Sequence, residues 1–134
     1  MKKFINSLIV VLLCVTSVQG KTKDPYHLFL DGEFLHKKNI NFTVYKMGKD
    51  GVFYSEYRDK ARKYYSITCD VGHKYLIRFQ DKNQNVKFLM LDVTHAGLFT
   101  IDVDFSRSYD AMLTFTKNGY NIAAIPDNQT LVSK

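Results

Sequence analysis

From residue 26 onward apolar and polar side chains alternate with period two, in short runs broken by Gly, Asn and Asp. Successive residues of a β-strand point to opposite faces, so this period predicts half-buried strands. The first run, 26–30, meets Asp31-Gly32 and then 33–35, which predicts a tight hairpin or sharp bend at the Asp-Gly pair. Residues 40–45 alternate strictly, with Ile40, Phe42 and Val44 on one side. Gly48-Lys49-Asp50-Gly51 closes that strand and opens 52–57, while 58–63 reads as a charged connection into 64–69. After a turn at 70–73, residues 74–80 turn Tyr75, Ile77 and Phe79 inward and Lys74, Arg78 and Gln80 outward. A polar turn at 81–85 leads into 86–93, which is apolar on both faces and suits a central strand. Residues 98–105 place Phe99, Ile101, Val103 and Phe105 on one face, and 109–116 pairs with 120–125 across Lys117-Asn118-Gly119. No helical period of useful length follows residue 20. Short strands at this spacing predict an all-β domain, a two-sheet antiparallel sandwich of about 7–9 strands.

The N-terminus reads differently. Met1-Lys2-Lys3 is a positive start, 8–15 is a compact apolar stretch, and Val18-Gln19-Gly20 fits a cleavage site. A signal peptide is therefore expected at 1–20, followed by a flexible leader at 21–25, the β-domain at 26–126 and a polar tail at 127–134. The apolar stretch is shorter than the ~20 residues of a membrane-spanning helix, so no stable span is expected after cleavage. This places the protein outside the cytoplasm, as secreted, periplasmic or cell-surface.

Composition narrows the picture only modestly. At 46% hydrophobic and 24% charged the chain is an ordinary globular one, which excludes disordered, collagenous and coiled-coil classes. The formal charge of +6 falls to +4 once Lys2 and Lys3 leave with the signal. That balance is too mild to imply nucleic acid, and none is expected as a partner. Cys14 departs with the signal, so Cys69 is left without an intrachain partner and reads as a small buried apolar residue.

Several segments together resemble the small transthyretin-like or carboxypeptidase-regulatory-like β-domains of exported Bacteroidetes proteins. They are 40–45 with 48–51, 64–67, the run from Val71-Gly72-His73 through Phe79, 87–92 and 99–105, covering about 65 residues. The family's usual Thr-x-x-Gly step is replaced here by 58–63. The resemblance implies an immunoglobulin-like sandwich that serves as a surface, accessory or assembly module, with no catalytic residues to carry over.

The residues themselves point to no enzyme. Asp81, Asn83, Asn85 and Asp92 imitate the oxygen spacing of a calcium loop, but Val86 stands where that loop needs glycine, so a hairpin turn is expected. Asp102, Asp104 and Asp92 are expected on a solvated acidic face. His27, His36, His73 and His95 lack metal-ligand spacing, and neither a nucleophile elbow nor a phosphate loop is present. No metal or cofactor is expected. The one cluster suited to recognition is Tyr54, Tyr57, Arg58, Lys60, Arg62, Lys63 and Tyr64, because tyrosine and arginine combine large contact area with directed hydrogen bonds. The expected function is an exported, non-enzymatic module that binds a protein or glycan or assembles at a surface. The alternatives are a small secreted enzyme inhibitor presenting 58–63 as its loop, or a virion or envelope structural protein.

Overall fold

The computed structural model describes residues 24–106, 110–126 and 129–133. The expected signal peptide and most of the leader lie outside these residues, as do part of the polar tail and the start of the strand expected at 109. The described chain is all-β, with eleven strands and no helix: β1 His27–Leu35, β2 Ile40–Met47, β3 Phe53–Ala61, β4 Tyr64–Asp70, β5 His73–Gln80, β6 Val86–Val93, β7 Gly97–Thr100, β8 Val103–Asp104, β9 Ala111–Thr116, β10 Gly119–Ala124 and β11 Leu131–Val132. They form two sheets. The smaller runs β4-β1-β7 with β8 also on β1, and the larger runs β10-β9-β6-β5-β2-β3-β11.

The inward faces of both sheets supply one core. Leu28, Leu30 and Phe34 of β1 and Tyr65, Ile67 and Cys69 of β4 meet Phe42, Val44, Tyr75, Ile77, Phe79, Leu91 and Phe115 of the larger sheet. Phe79 is fully buried, with ring centroids 5.5 Å from Phe34, 5.9 Å from Phe42 and 5.4 Å from Tyr65. A second cluster occupies the opposite, outer face of the larger sheet. There Tyr45, Phe53, Leu76 and Met90 are buried, and Ile125, just past β10, packs against them. The chain that leaves β10 at one edge of the sheet rejoins it at the other edge, where β11 pairs in parallel with Phe53 and Tyr54.

Four expectations are corrected. First, Asp31-Gly32 is no turn. β1 runs straight through it, with Leu28, Leu30, Gly32 and Phe34 all buried at period two. Glycine is required for a close approach instead: a Cβ on Gly32 would lie 1.9 Å from the Ile101 carbonyl oxygen. Second, the strand expected at 98–105 is broken at Ile101-Asp102. The Ile101 N–H donates to the Asp31 carbonyl at 2.8 Å, its carbonyl accepts the Tyr65 hydroxyl, and Asp102 accepts the Glu33 N–H at 2.9 Å. Third, the sheets are mixed, because β1·β7, β1·β8, β6·β9 and β3·β11 pair in parallel. Fourth, 58–61 is strand. β3 continues to Ala61, paired with β2 through Ile40↔Ala61, and only Arg62 and Lys63 turn the chain into β4.

The 81–85 segment is the hairpin turn between β5 and β6. Asp81 is buried, and its carboxylate accepts the N–H groups of Asn83 and Asn85 at 2.9 and 2.8 Å and the Asn85 side-chain amide at 2.8 Å. The acidic face is regrouped. Asp102 lies beside Asp31 and Glu33, whereas Asp92 belongs to β6 in the other sheet.

Candidate functional site

β3 organises the recognition residues, and strand alternation divides them. Cross-strand partners share a face, so Val44↔Tyr57 and Lys46↔Tyr54 put both tyrosines on the side that faces the smaller sheet. Thr43↔Arg58 and Asn41↔Lys60 put Arg58 and Lys60 on the outer face. A bulge between Val44 and Tyr45 leaves Glu56 without a partner in the β2 register. Arg62 and Lys63 form the turn, and Tyr64 opens β4 on the exposed face of the smaller sheet, 66% accessible. The seven residues therefore surround one strand rather than forming one patch.

Three local environments result. Tyr54 donates its hydroxyl to Asp50, a bond that holds the Asp50 carboxyl below its ordinary range and raises the tyrosine's own pKa. It lines a cleft of about 600 Å³ with Lys46, Lys49, Glu56 and His73, between the β2–β3 and β4–β5 turns. Lys46 is engaged there, bonded to Asp70 at 3.0 Å with its ammonium 5.9 Å from the centre of the Tyr75 ring. Around the corner, Lys63 pairs with Glu33 at 3.2 Å and sits 5.6 Å from the Tyr64 ring centre, and the Glu33 bond raises the lysine's pKa. Lys63 also lines a cavity of about 550 Å³ with His36, Lys37 and Lys38. Lys37 is partly neutralised by Asp81 at 3.5 Å.

The outer face holds the third environment, which includes a residue that sequence reasoning left out of the cluster. Thr43 pairs with Arg58 on one side and with Arg78 on the other, while Asn41 pairs with both Lys60 and Gln80. Two adjacent rows of one sheet thus read Arg58, Thr43, Arg78 and Lys60, Asn41, Gln80. Alternation shows that Arg78 points outward, but only the β2 register brings it alongside Arg58. Arg78 donates to the Gln80 side-chain oxygen at 2.8 Å, and Gln80 donates in turn to Gln84.

β3 also has an open edge. β2 occupies one side, and β11 covers the other only at Phe53 and Tyr54, so among the described residues no strand borders 55–61. Cys69 is fully buried on β4, and burial with the nearby Asp70 pushes its thiol up to about 12. It packs in the main core. Among the described residues no group of three or more His, Cys, Asp or Glu side chains is placed to hold a metal ion, and no helix is long and apolar enough to cross a membrane.

No family model matches the chain, and no curated protein matches it.

Proposed function

We propose that this protein is an exported, non-enzymatic β-sandwich, immunoglobulin-like in its layering, that acts by binding a protein or glycan through the surface around β3. One observation carries the reading: a single strand at the margin of the larger sheet exposes tyrosine on one face, arginine and lysine on the other, and an open backbone edge between them. Exposed edges are usually blunted by charge or a bulge. β3 has both, which favours side-chain recognition on its faces over indiscriminate strand addition. The enzyme-inhibitor alternative is the less favoured reading, because 58–61 is strand and only Arg62 and Lys63 remain as a turn to present.

The test is retention of a partner from the extracellular and envelope fractions of the source cells on immobilised protein from Lys21 onward, with oligomeric state read by light scattering. The combined Tyr57→Ala, Arg58→Ala and Arg62→Ala variant should lose the partner while keeping its circular dichroism spectrum. Full retention by that variant removes the β3 surface from the proposal. Defined oligomers that retain nothing would favour a structural role instead.

A further inference from the structure

We infer that the lower outer face of the larger sheet, carrying Arg58, Lys60 and Arg78, is a docking platform for a linear polysaccharide bearing carboxylates or sulfates. This rests on the reading of the protein as a binding module and specifies one of its surfaces. Arg58 and Arg78 flank Thr43 on a single row, two strand spacings or about 10 Å apart, and Lys60 lies about 7 Å further along β3. The three cations therefore form a triangle on one face of the sheet, and Asn41, Thr43 and Gln80 fill the space between them with amide and hydroxyl groups. A sugar chain offers both kinds of partner, anionic groups for the cations and hydroxyls for the amides.

The charges on this face are open to a ligand. Arg58, Lys60 and Arg78 make no ion pair among the described residues, whereas Lys37, Lys46 and Lys63 elsewhere on the surface each have a carboxylate. The carboxylate bordering these rows is Asp110, beyond Phe88, where it accepts the Phe88 N–H at 2.9 Å. Arg78 is half-buried and oriented by its bond to Gln80, which is itself held by Gln84. A guanidinium fixed in this way loses little freedom when it takes a planar anion.

Other polyanions fit less well. Bases of a single-stranded nucleic acid need exposed rings to stack on. The aromatic residues bordering these rows are Tyr45, buried in the second hydrophobic cluster, and Phe88, packed against it. A membrane surface calls for apolar side chains at the rim, and the rows present polar ones.

Binding of the mature protein to heparin and to polygalacturonate, measured by titration calorimetry at two salt concentrations, tests the inference, with a single-stranded DNA oligonucleotide as the competing polyanion. The expected result is salt-sensitive binding to at least one polysaccharide, weakened tenfold or more in the double variant Arg58→Gln, Arg78→Gln. The charge-matched variant Lys74→Gln, Lys117→Gln should change it less than twofold. Equal losses in the two variants, tighter binding to the oligonucleotide, or no binding to either polysaccharide would each overturn the platform. A protein partner captured from the envelope alongside no polysaccharide binding would overturn the platform and leave the binding-module reading standing.

Discussion

Gly32→Ala tests the packing around the break in the smaller sheet. The added Cβ would sit 1.9 Å from the Ile101 carbonyl oxygen, 2.6 Å from its carbon and 2.8 Å from the Tyr65 ring, where ordinary contact begins at 3.4 Å. Two of these three atoms are backbone, so no rotamer change relieves the clash. Ile101 must withdraw by about 1.5 Å, the gap between 1.9 and 3.4 Å, which stretches both the Tyr65 hydroxyl bond to its carbonyl and its own N–H bond to Asp31. Overpacking costs about 1–3 kcal/mol, and each weakened hydrogen bond adds roughly 1 kcal/mol. Loss of glycine's freedom in the unfolded chain returns about 0.4–1 kcal/mol. The net destabilisation is about 3 kcal/mol, a large share of the ~5–15 kcal/mol that holds a domain together. Urea unfolding followed by circular dichroism should show the midpoint falling with the slope unchanged. Gly119→Ala is the control, since nothing lies within 4 Å of its added Cβ; it should stay within about 0.5 kcal/mol of the parent. A Gly32→Ala protein equally close to the parent would refute the close-approach explanation.

Phe79→Ala removes a ring buried among Phe34, Phe42 and Tyr65 and should cost about 4 kcal/mol in the same assay. A loss under about 1.5 kcal/mol would mean that the two sheets do not share a tightly packed core. Acid titration of stability should show two opposed carboxylates. The Lys46 bond lowers the Asp70 pKa, so its contribution is complete above the ordinary carboxylate value of 3.8 and fades as pH falls through the lower folded value. Lys46→Met should flatten that limb. Burial first, then the Glu33 and Asp31 charges, raises Asp102 despite its bond from the Glu33 N–H, so its contribution declines as pH rises from 3.8 through the raised value. Asp102→Asn should therefore gain stability relative to the parent at pH 7 but not at pH 3, and the opposite order would reverse the assigned cause. Cys69 should resist alkylation by iodoacetamide at pH 8 until the protein is unfolded in urea; rapid labelling of the native protein would contradict its burial.

The strands whose outer positions are plainly polar were legible in the sequence. β4 and β5 fall within a residue of the expected spans because Tyr65, Ile67 and Cys69, and Tyr75, Ile77 and Phe79, hold an unambiguous period. β1 misled because Asp-Gly carries a strong local turn preference, and tertiary packing against Ile101 overrides it. The period continuing through Leu30, Gly32 and Phe34 was the available signal. The 58–61 stretch hid its strand because both of its faces are exposed or half-exposed, leaving no hydrophobic alternation to read. Parallel pairing of β1 with β7 and of β6 with β9 left no local mark, since each joins segments distant in the chain. The outer-face rows were invisible for the same reason: alternation assigns a residue to a face, and only register chooses its neighbours.

The position of β1 also sets the order in which the protein can fold. It is the first strand of the described chain, yet its partners are residues 64–70, 97–100 and 103–104. A ribosome working from the N-terminus must therefore deliver more than a hundred residues before β1 has all its partners. Until then its alternating face stays open, and long loops must close before pairing rewards them. Strand β1 therefore completes its pairing late, although it precedes every other described strand in the chain.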